Sequence, residues 1–99
     1  MNRQVIYTPE AESDVAEAFL WYENCEPGLG EEFMRCVEAC VTMLQRHPLM
    51  HRVAVDSFRR ALIRRFPYEI FYEPESVKLT IYAVFHCSQD PGKWRNRLH

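Results

Sequence analysis

Arg59-Arg60-Ala61-Leu62-Ile63-Arg64-Arg65-Phe66-Pro67-Tyr68-Glu69-Ile70-Phe71-Tyr72-Glu73 reads as two strands joined at a tight proline turn. The first strand, Phe58 to Arg65, carries four arginines, and each of its faces holds two of them. Arginine is costly to bury and is no natural strand former. A little further on come His86-Cys87-Ser88-Gln89-Asp90-Pro91 and then Trp94. Arginines beside a histidine and a tryptophan suggest a surface built to meet something anionic.

Working outward, Val77 to His86 reads as a third strand, set off by Pro74-Glu75-Ser76. It alternates cleanly. Val77, Leu79, Ile81, Ala83 and Phe85 share one face and are expected to pack inward. Lys78, Thr80, Tyr82, Val84 and His86 share the other and are expected to face solvent or a partner. Val53-Ala54-Val55 reads either as a further short strand or as an extended lead-in.

The N-terminal half has a different period. Residues 3–8 read as a strand. From Pro9 to Cys25, Ala11, Val15, Ala18, Phe19 and Tyr22 recur at helical spacing. Pro9 suits a first helical turn, and Glu10, Glu12 and Asp14 favour its positive end. Pro27-Gly28 and Gly30 break the pattern. A second helix is expected from Glu31 to His47, with Phe33, Cys36, Val37, Cys40, Val41 and Leu44 as its apolar stripe and Pro48 as its stop. So short a junction makes an antiparallel αα-hairpin.

The expected fold is therefore α+β, in the order β-α-α-β-β-β. The hairpin covers one face of a small, mainly antiparallel sheet and leaves the other open. Phe33, Val37, Val41, Leu44, Leu79, Ile81 and Ala83 are expected in one core. Ninety-nine residues make one domain, 1–99.

The net charge of −2 conceals an asymmetry. Residues 1–57 balance at −6 and residues 58–99 at +4. Such a split hints at nucleic-acid contact, or at an acidic helical half neutralising a basic strand half by internal ion pairs. No apolar run is long enough to span a bilayer, and the N-terminus lacks the apolar stretch of an export signal, so a cytoplasmic location without membrane contact is expected. Cys25, Cys36, Cys40 and Cys87 are irregularly spaced. Cys36 and Cys40 read as small core residues, and neither a metal site nor a cofactor is expected. His47, His51 and His99 read as solvated, and Trp21 and Tyr22 as packing residues beside the helix junction.

The chain resembles the RelE/ParE superfamily, the toxins of type II toxin–antitoxin systems. The resemblance rests on Ala11, Asp14-Val15 and Trp21-Tyr22-Glu23 in the first helix. Pro27-Gly28-Leu29-Gly30, Phe33 and Pro48 match the helix junction and the second helix. Arg60, Arg65-Phe66-Pro67-Tyr68, Ile70 and Tyr72 match the strand pair, and His86, Asp90-Pro91 and Trp94 the tail. Order and spacing are most similar to the ParE-like, or plasmid stabilisation, branch. Relatives often carry arginine between the histidine and Asp-Pro, where this chain has Gln89, so no anion contact is expected from that position.

The resemblance implies an antitoxin as partner, and the basic half implies an acidic binding segment on it. It implies growth inhibition by poisoning DNA gyrase, with Arg59, Arg60, Arg64, Arg65, His86, Lys93, Trp94, Arg95 and Arg97 as target or nucleic-acid contacts. The alternative within the superfamily is a RelE-like endoribonuclease acting on mRNA at the ribosome. There His86 serves as base, Arg60 or Arg65 (or Arg64) as phosphate clamp, and Tyr68 or Tyr82 as stacking or proton-transfer partner. A non-toxic nucleic-acid-binding module or degenerate toxin is a third reading. Catalysis asks for complementary acid–base groups, and His86 stands nearly alone. The ParE-like, non-nuclease reading is preferred.

Overall fold

A computed structural model describes residues 3–89 and 91–98, apart from the side chains of Pro91, Trp94 and Arg95. The elements run β1 (Gln4–Tyr7), α1 (Pro9–Cys25), α2 (Leu29–Arg46), β2 (Val53–Val55), β3 (Phe58–Leu62), β4 (Tyr68–Pro74), β5 (Lys78–His86) and α3 (Pro91–Arg97). The sheet order is β1-β5-β4-β3-β2. All neighbours are antiparallel except β1, which lies parallel to β5. The α+β architecture and the core order β-α-α-β-β-β thus stand. Val53-Ala54-Val55 resolves as a strand, at the sheet edge beyond β3.

Local chemistry explains the helical hairpin. Thr8 caps α1, its Oγ1 accepting from the Ala11 N–H at 3.1 Å, and Pro9 follows in the first turn. At the junction Gly28 takes φ 90°, a left-handed conformation natural to glycine. The Glu23 carboxylate then accepts from the N–H groups of Gly28 and Gly30, at 3.0 and 2.9 Å, satisfying free donors at the start of α2. A Cβ on Gly30 would sit 2.7 Å from the Phe19 carbonyl, so only glycine lets the two helices approach this closely.

The stripe of α2 packs as expected: Phe33, Val37, Val41 and Leu44 are buried against Leu79 and Ile81. Ala83 is not among them. Together with Phe71, Phe85 and Leu98 it forms a second cluster, joined by Phe58 and Tyr82. The cause is a β-bulge. Phe71 pairs with Ala83, but Tyr72 pairs with Ile81, so Tyr82 is an extra residue on β5. Beyond it the alternation inverts. Val84 enters the helix-side core, while Ala83 and Phe85 turn to the outer face. His86 follows Val84: it pairs with Tyr68 and meets that ring at 5.1 Å on the helix side. The expectation that Val84 and His86 share an outward face with Tyr82 is corrected accordingly.

Two further differences follow. The outer face is not left open, because Leu98, just after α3, and residues of the β2–β3 hairpin cover its apolar cluster. The arginine strand also stops at Leu62, short of Arg64 and Arg65. Arg65 adopts φ 72°, a conformation unfavourable for a residue that carries a Cβ, and turns the chain so that Phe66 inserts beside Tyr22 and Phe33, at 4.9 and 5.3 Å between ring centres.

Candidate target and partner surfaces

The arginines of the strand pair are dispersed by the pleat. Arg59 pairs with Tyr72 on the helix side, and its guanidinium donates to the His51 carbonyl at 2.6 Å. Arg60 pairs with Phe71, so it stands on the outer face, 3.7 Å from Glu69. Arg65 lies 3.7 Å from Glu32 at the start of α2. Both separations exceed hydrogen-bond length, and both arginines are largely exposed, so these pairs hold little energy and leave the cations available. Arg64 is exposed and has no ion pair among the described residues. Among the described residues, pairing of the strand-pair arginines with the acidic helices is thus a single loose contact at Arg65.

The C-terminal cations divide differently. Lys93 is exposed. Arg97 is committed: it donates to both Asp14 oxygens, at 2.9 and 3.3 Å, and lies 4.8 Å over the Phe85 ring. The other Asp14 contact is the backbone N–H of Val84, at 3.0 Å. The reason is topological. β1 pairs with β5 only from Lys78 to Ile81 and leaves the rest of that edge without a neighbour strand. Asp14 and Arg97 close it, and the Tyr82 carbonyl, stranded at the bulge, accepts from Thr8 and Arg97 at 3.4 and 3.5 Å. Arg97 is therefore a clasp between α3 and α1, not a free contact residue. The side chains of Trp94 and Arg95 lie outside the described residues.

Of the nuclease candidates, Arg65 lies with Glu32 of α2, and His86 and Arg60 do not converge. His86 is on the helix side of the sheet, whereas Arg60 is on the outer side with Glu69. Its Nδ1 accepts from the Ser88 N–H at 3.0 Å and contacts the Ser88 hydroxyl at 2.7 Å. Tyr68 and Tyr82 are likewise on opposite faces, and burial pushes both phenols up, so neither is poised as a base at neutral pH. Tyr82 is further engaged by Glu73, which accepts its hydroxyl proton at 3.3 Å. Two of the thiols are moved away from reactivity as well: burial raises Cys87, and it pushes Cys40 up to about 11. Cys36 and Cys40 are half-buried against the core, and no cluster of three metal-ligating side chains occurs among the described residues.

Among the described residues, three concavities flank α1; one of about 550 Å³ adjoins a polar cleft and adds Lys93, Asn96 and Arg97 to its walls, and the other two differ most in chemistry. One is an apolar groove of about 530 Å³ lined by Tyr7, Val15, Phe19, Met34 and Val37, with Glu12 and Glu38 on its rim. The other is a polar cleft of about 210 Å³ where α1 meets the end of β5, lined by Asp14, Glu17, Trp21, Tyr68, His86 and Gln89. Trp21 and Tyr22 are both expected to be packing residues. Tyr22 is buried, but Trp21, although its ring meets Tyr22 edge-on at 5.2 Å, is 62% exposed at the mouth of this cleft. The signal in the sequence was positional: one residue of the pair continues the Ala11-Val15-Ala18-Tyr22 stripe and the other does not.

A family model for the ParE toxin of the type II toxin–antitoxin system parDE matches residues 5–91. Among solved structures, the chain is similar to one described as a chromosomal ParDE toxin–antitoxin system from P. aeruginosa. The TM-score is 0.74 at 15% identity, over 85% of this chain and 95% of that one, a likeness of fold. No curated protein sequence matches the chain.

Proposed function

The chain belongs to the ParE toxin family of type II toxin–antitoxin systems, and from that premise we propose that it arrests growth by poisoning DNA gyrase in the cytoplasm and is neutralised by a cognate antitoxin. The observation that carries the gyrase reading over mRNA cleavage is the separation of His86 from Arg60 by the thickness of the sheet. Cleavage through the 2′-hydroxyl needs a base and a phosphate clamp on the same few ångströms of substrate. A poison needs no proton transfer, only complementary contacts that favour one state of its target. Arg60, Arg64, Arg65 and Lys93 are accessible for such contacts, to gyrase or to the DNA it holds. No described helix is long and apolar enough to cross a membrane.

The apolar groove beside α1 supports the antitoxin half of the proposal. It suits the apolar stripe of an amphipathic segment that folds as it binds. An acidic stretch of the same segment would cover the arginines of the basic half.

Induction of the protein without its antitoxin tests both halves. The DNA-damage response is expected to rise before protein synthesis falls, and co-expression of the antitoxin encoded beside it is expected to restore growth. Reversing charge at Arg60 and Arg65 is expected to weaken the arrest. Transcripts cut on translating ribosomes ahead of any DNA damage would make the nuclease alternative correct. Harmless expression of folded protein would point to the degenerate toxin.

A further inference from the structure

The cleft between α1 and the end of β5 has a chemistry unlike that of either the groove or the arginine surface. Its walls are flat and aromatic: exposed Trp21 at the mouth, with Tyr68 and His86 meeting edge to face at 5.1 Å inside. Two of its acceptors are unpaired among the described residues. The Glu17 carboxylate has no hydrogen bond or ion pair among the described residues, yet it is near enough to help raise the Tyr68 phenol. Gln89 Oε1 is buried and has no hydrogen-bond partner among the described residues. A buried acceptor without a donor is uncommon in a native protein and marks a place where a donor belongs. Asp14, the remaining acid, is already satisfied by Arg97 and the Val84 N–H.

Size and charge narrow the guest. About 210 Å³ falls below the roughly 300 Å³ at which ordinary small-molecule sites begin, so the cleft itself takes one side chain, while the adjoining hollow of about 550 Å³, which shares Asp14, Glu17, Phe85 and Gln89, leads on to Lys93 and to Arg97, the latter held by Asp14. Residues 4–34, which include all of α1, contain eight Asp and Glu and no Lys or Arg, and of the two cations lining the adjoining hollow Arg97 is neutralised by Asp14, which leaves Lys93 against the acidic wall of α1 and favours a cation over a phosphate in the cleft. Unpaired acceptors framed by aromatic rings fit a planar guanidinium, which donates in several directions and stacks on ring faces. The cleft and the apolar groove lie on opposite flanks of α1: Val15 and Phe19 line one, Glu17 and Trp21 the other. A chain seated in the groove has only the diameter of one helix, about 10 Å, to cross before reaching the cleft.

We propose that the Glu17–Trp21–Gln89 cleft is an arginine-binding subsite for the antitoxin, whose segment fills the groove, crosses α1 and places one arginine there. This rests on the antitoxin reading above and adds to it a basic anchor where that reading alone calls for acidic contacts. The anchor distinguishes the cognate antitoxin from any merely acidic chain.

The test is a calorimetric titration of the toxin, as wild type, Glu17→Gln and Trp21→Ala, with the antitoxin encoded beside it. Both side chains are exposed, so thermal unfolding midpoints are expected to stay near wild type and to exclude misfolding as the cause. Each variant is expected to bind about tenfold more weakly, a size typical of a charge-assisted or cation–π contact. An alanine scan of the antitoxin's arginines is expected to find one whose loss is not additive with Glu17→Gln. In a Trp94→Phe background, antitoxin binding is expected to shift Trp21 fluorescence, and a single-stranded oligonucleotide is not. Wild-type affinity in both variants, additive behaviour of every arginine, or a Trp21 response to the oligonucleotide alone would overturn the subsite while leaving the antitoxin reading intact. Failure of the wild-type pair to associate would instead remove the reading on which it rests.

Discussion

The two halves of β5 obey opposite rules. From Lys78 to Ile81 the strand is flanked by β1, and its odd-numbered residues Leu79 and Ile81 face the helices. From Ala83 to His86 no strand flanks that edge, and the odd-numbered residues Ala83 and Phe85 face outward. One extra residue, Tyr82, separates the regimes. The first half is a conventional piece of sheet. The second half has its edge closed by side chains, Asp14 and Arg97, and its end contributes to the polar cleft. Bulges re-aim side chains near functional surfaces, and this one decides which face His86 serves.

Removing the extra residue is the most severe perturbation of this contrast. Deletion of Tyr82 joins Ile81 to Ala83 and keeps the pairs Tyr72–Ile81 and Phe71–Ala83, so both halves hold their facing and only the bend between them is lost. With it go the ring packed on Phe58 at 4.8 Å, the hydroxyl donated to Glu73 and the carbonyl that accepts from Thr8 and Arg97. The expected cost is about 3–5 kcal/mol, a large share of the stability of so small a domain, read from thermal unfolding. A deletion variant that melts near the wild-type temperature would show that the two halves keep their opposite facing without the bulge.

This inversion also explains what the sequence could and could not reveal. The alternation from Val77 to Phe85 looks unbroken because Tyr82-Ala83-Val84-Phe85 is apolar at every position, and both faces of the sheet bury apolar residues there. Parity carries no information in such a run. The helices were legible because their stripes are one-sided: α1 runs from Pro9 to Cys25 as read, and α2 begins two residues earlier than expected. α3 was not legible. Its seven residues from Pro91 to Arg97 are too few to show a period, and only Asp90-Pro91 hinted at a start. Among site residues, the accessible cations Arg60, Arg64 and Arg65 could be named from composition. The capture of Arg97 by Asp14 spans 83 positions and had no local signature.

Opening the clasp tests the second half of β5 alone and should cost less than losing the bulge. Asp14→Ala removes the acceptor of the Val84 N–H and leaves the Arg97 guanidinium, only 28% exposed, without its partner. About 2–4 kcal/mol is expected from urea unfolding, since an orphaned donor and an uncompensated, partly buried charge each contribute. Arg97→Ala should cost less, because Asp14 keeps its backbone contact. The double variant should then be milder than the sum of the singles by about 1 kcal/mol. Strict additivity would mean that the clasp is a surface contact and that the edge is closed by α1 alone.

The smallest expected effect is the one that bears most on function. His86→Ala alters a half-buried side chain at the far end of the inverted half, and growth arrest should persist essentially unchanged. The sheet lies between His86 and Arg60, a phosphate clamp in the nuclease reading, and the phenols of Tyr68 and Tyr82 are pushed up and away from proton transfer at neutral pH. Loss of a true general base costs about 10²-fold or more in rate, which no expression level conceals. A folded His86→Ala protein that no longer arrests growth, together with the loss of transcript cleavage, would place the reacting group on the helix side of β5 and bring Tyr68 and Glu17 beside it. The gyrase reading would then fall, and the cleft at the end of β5 would be the active site.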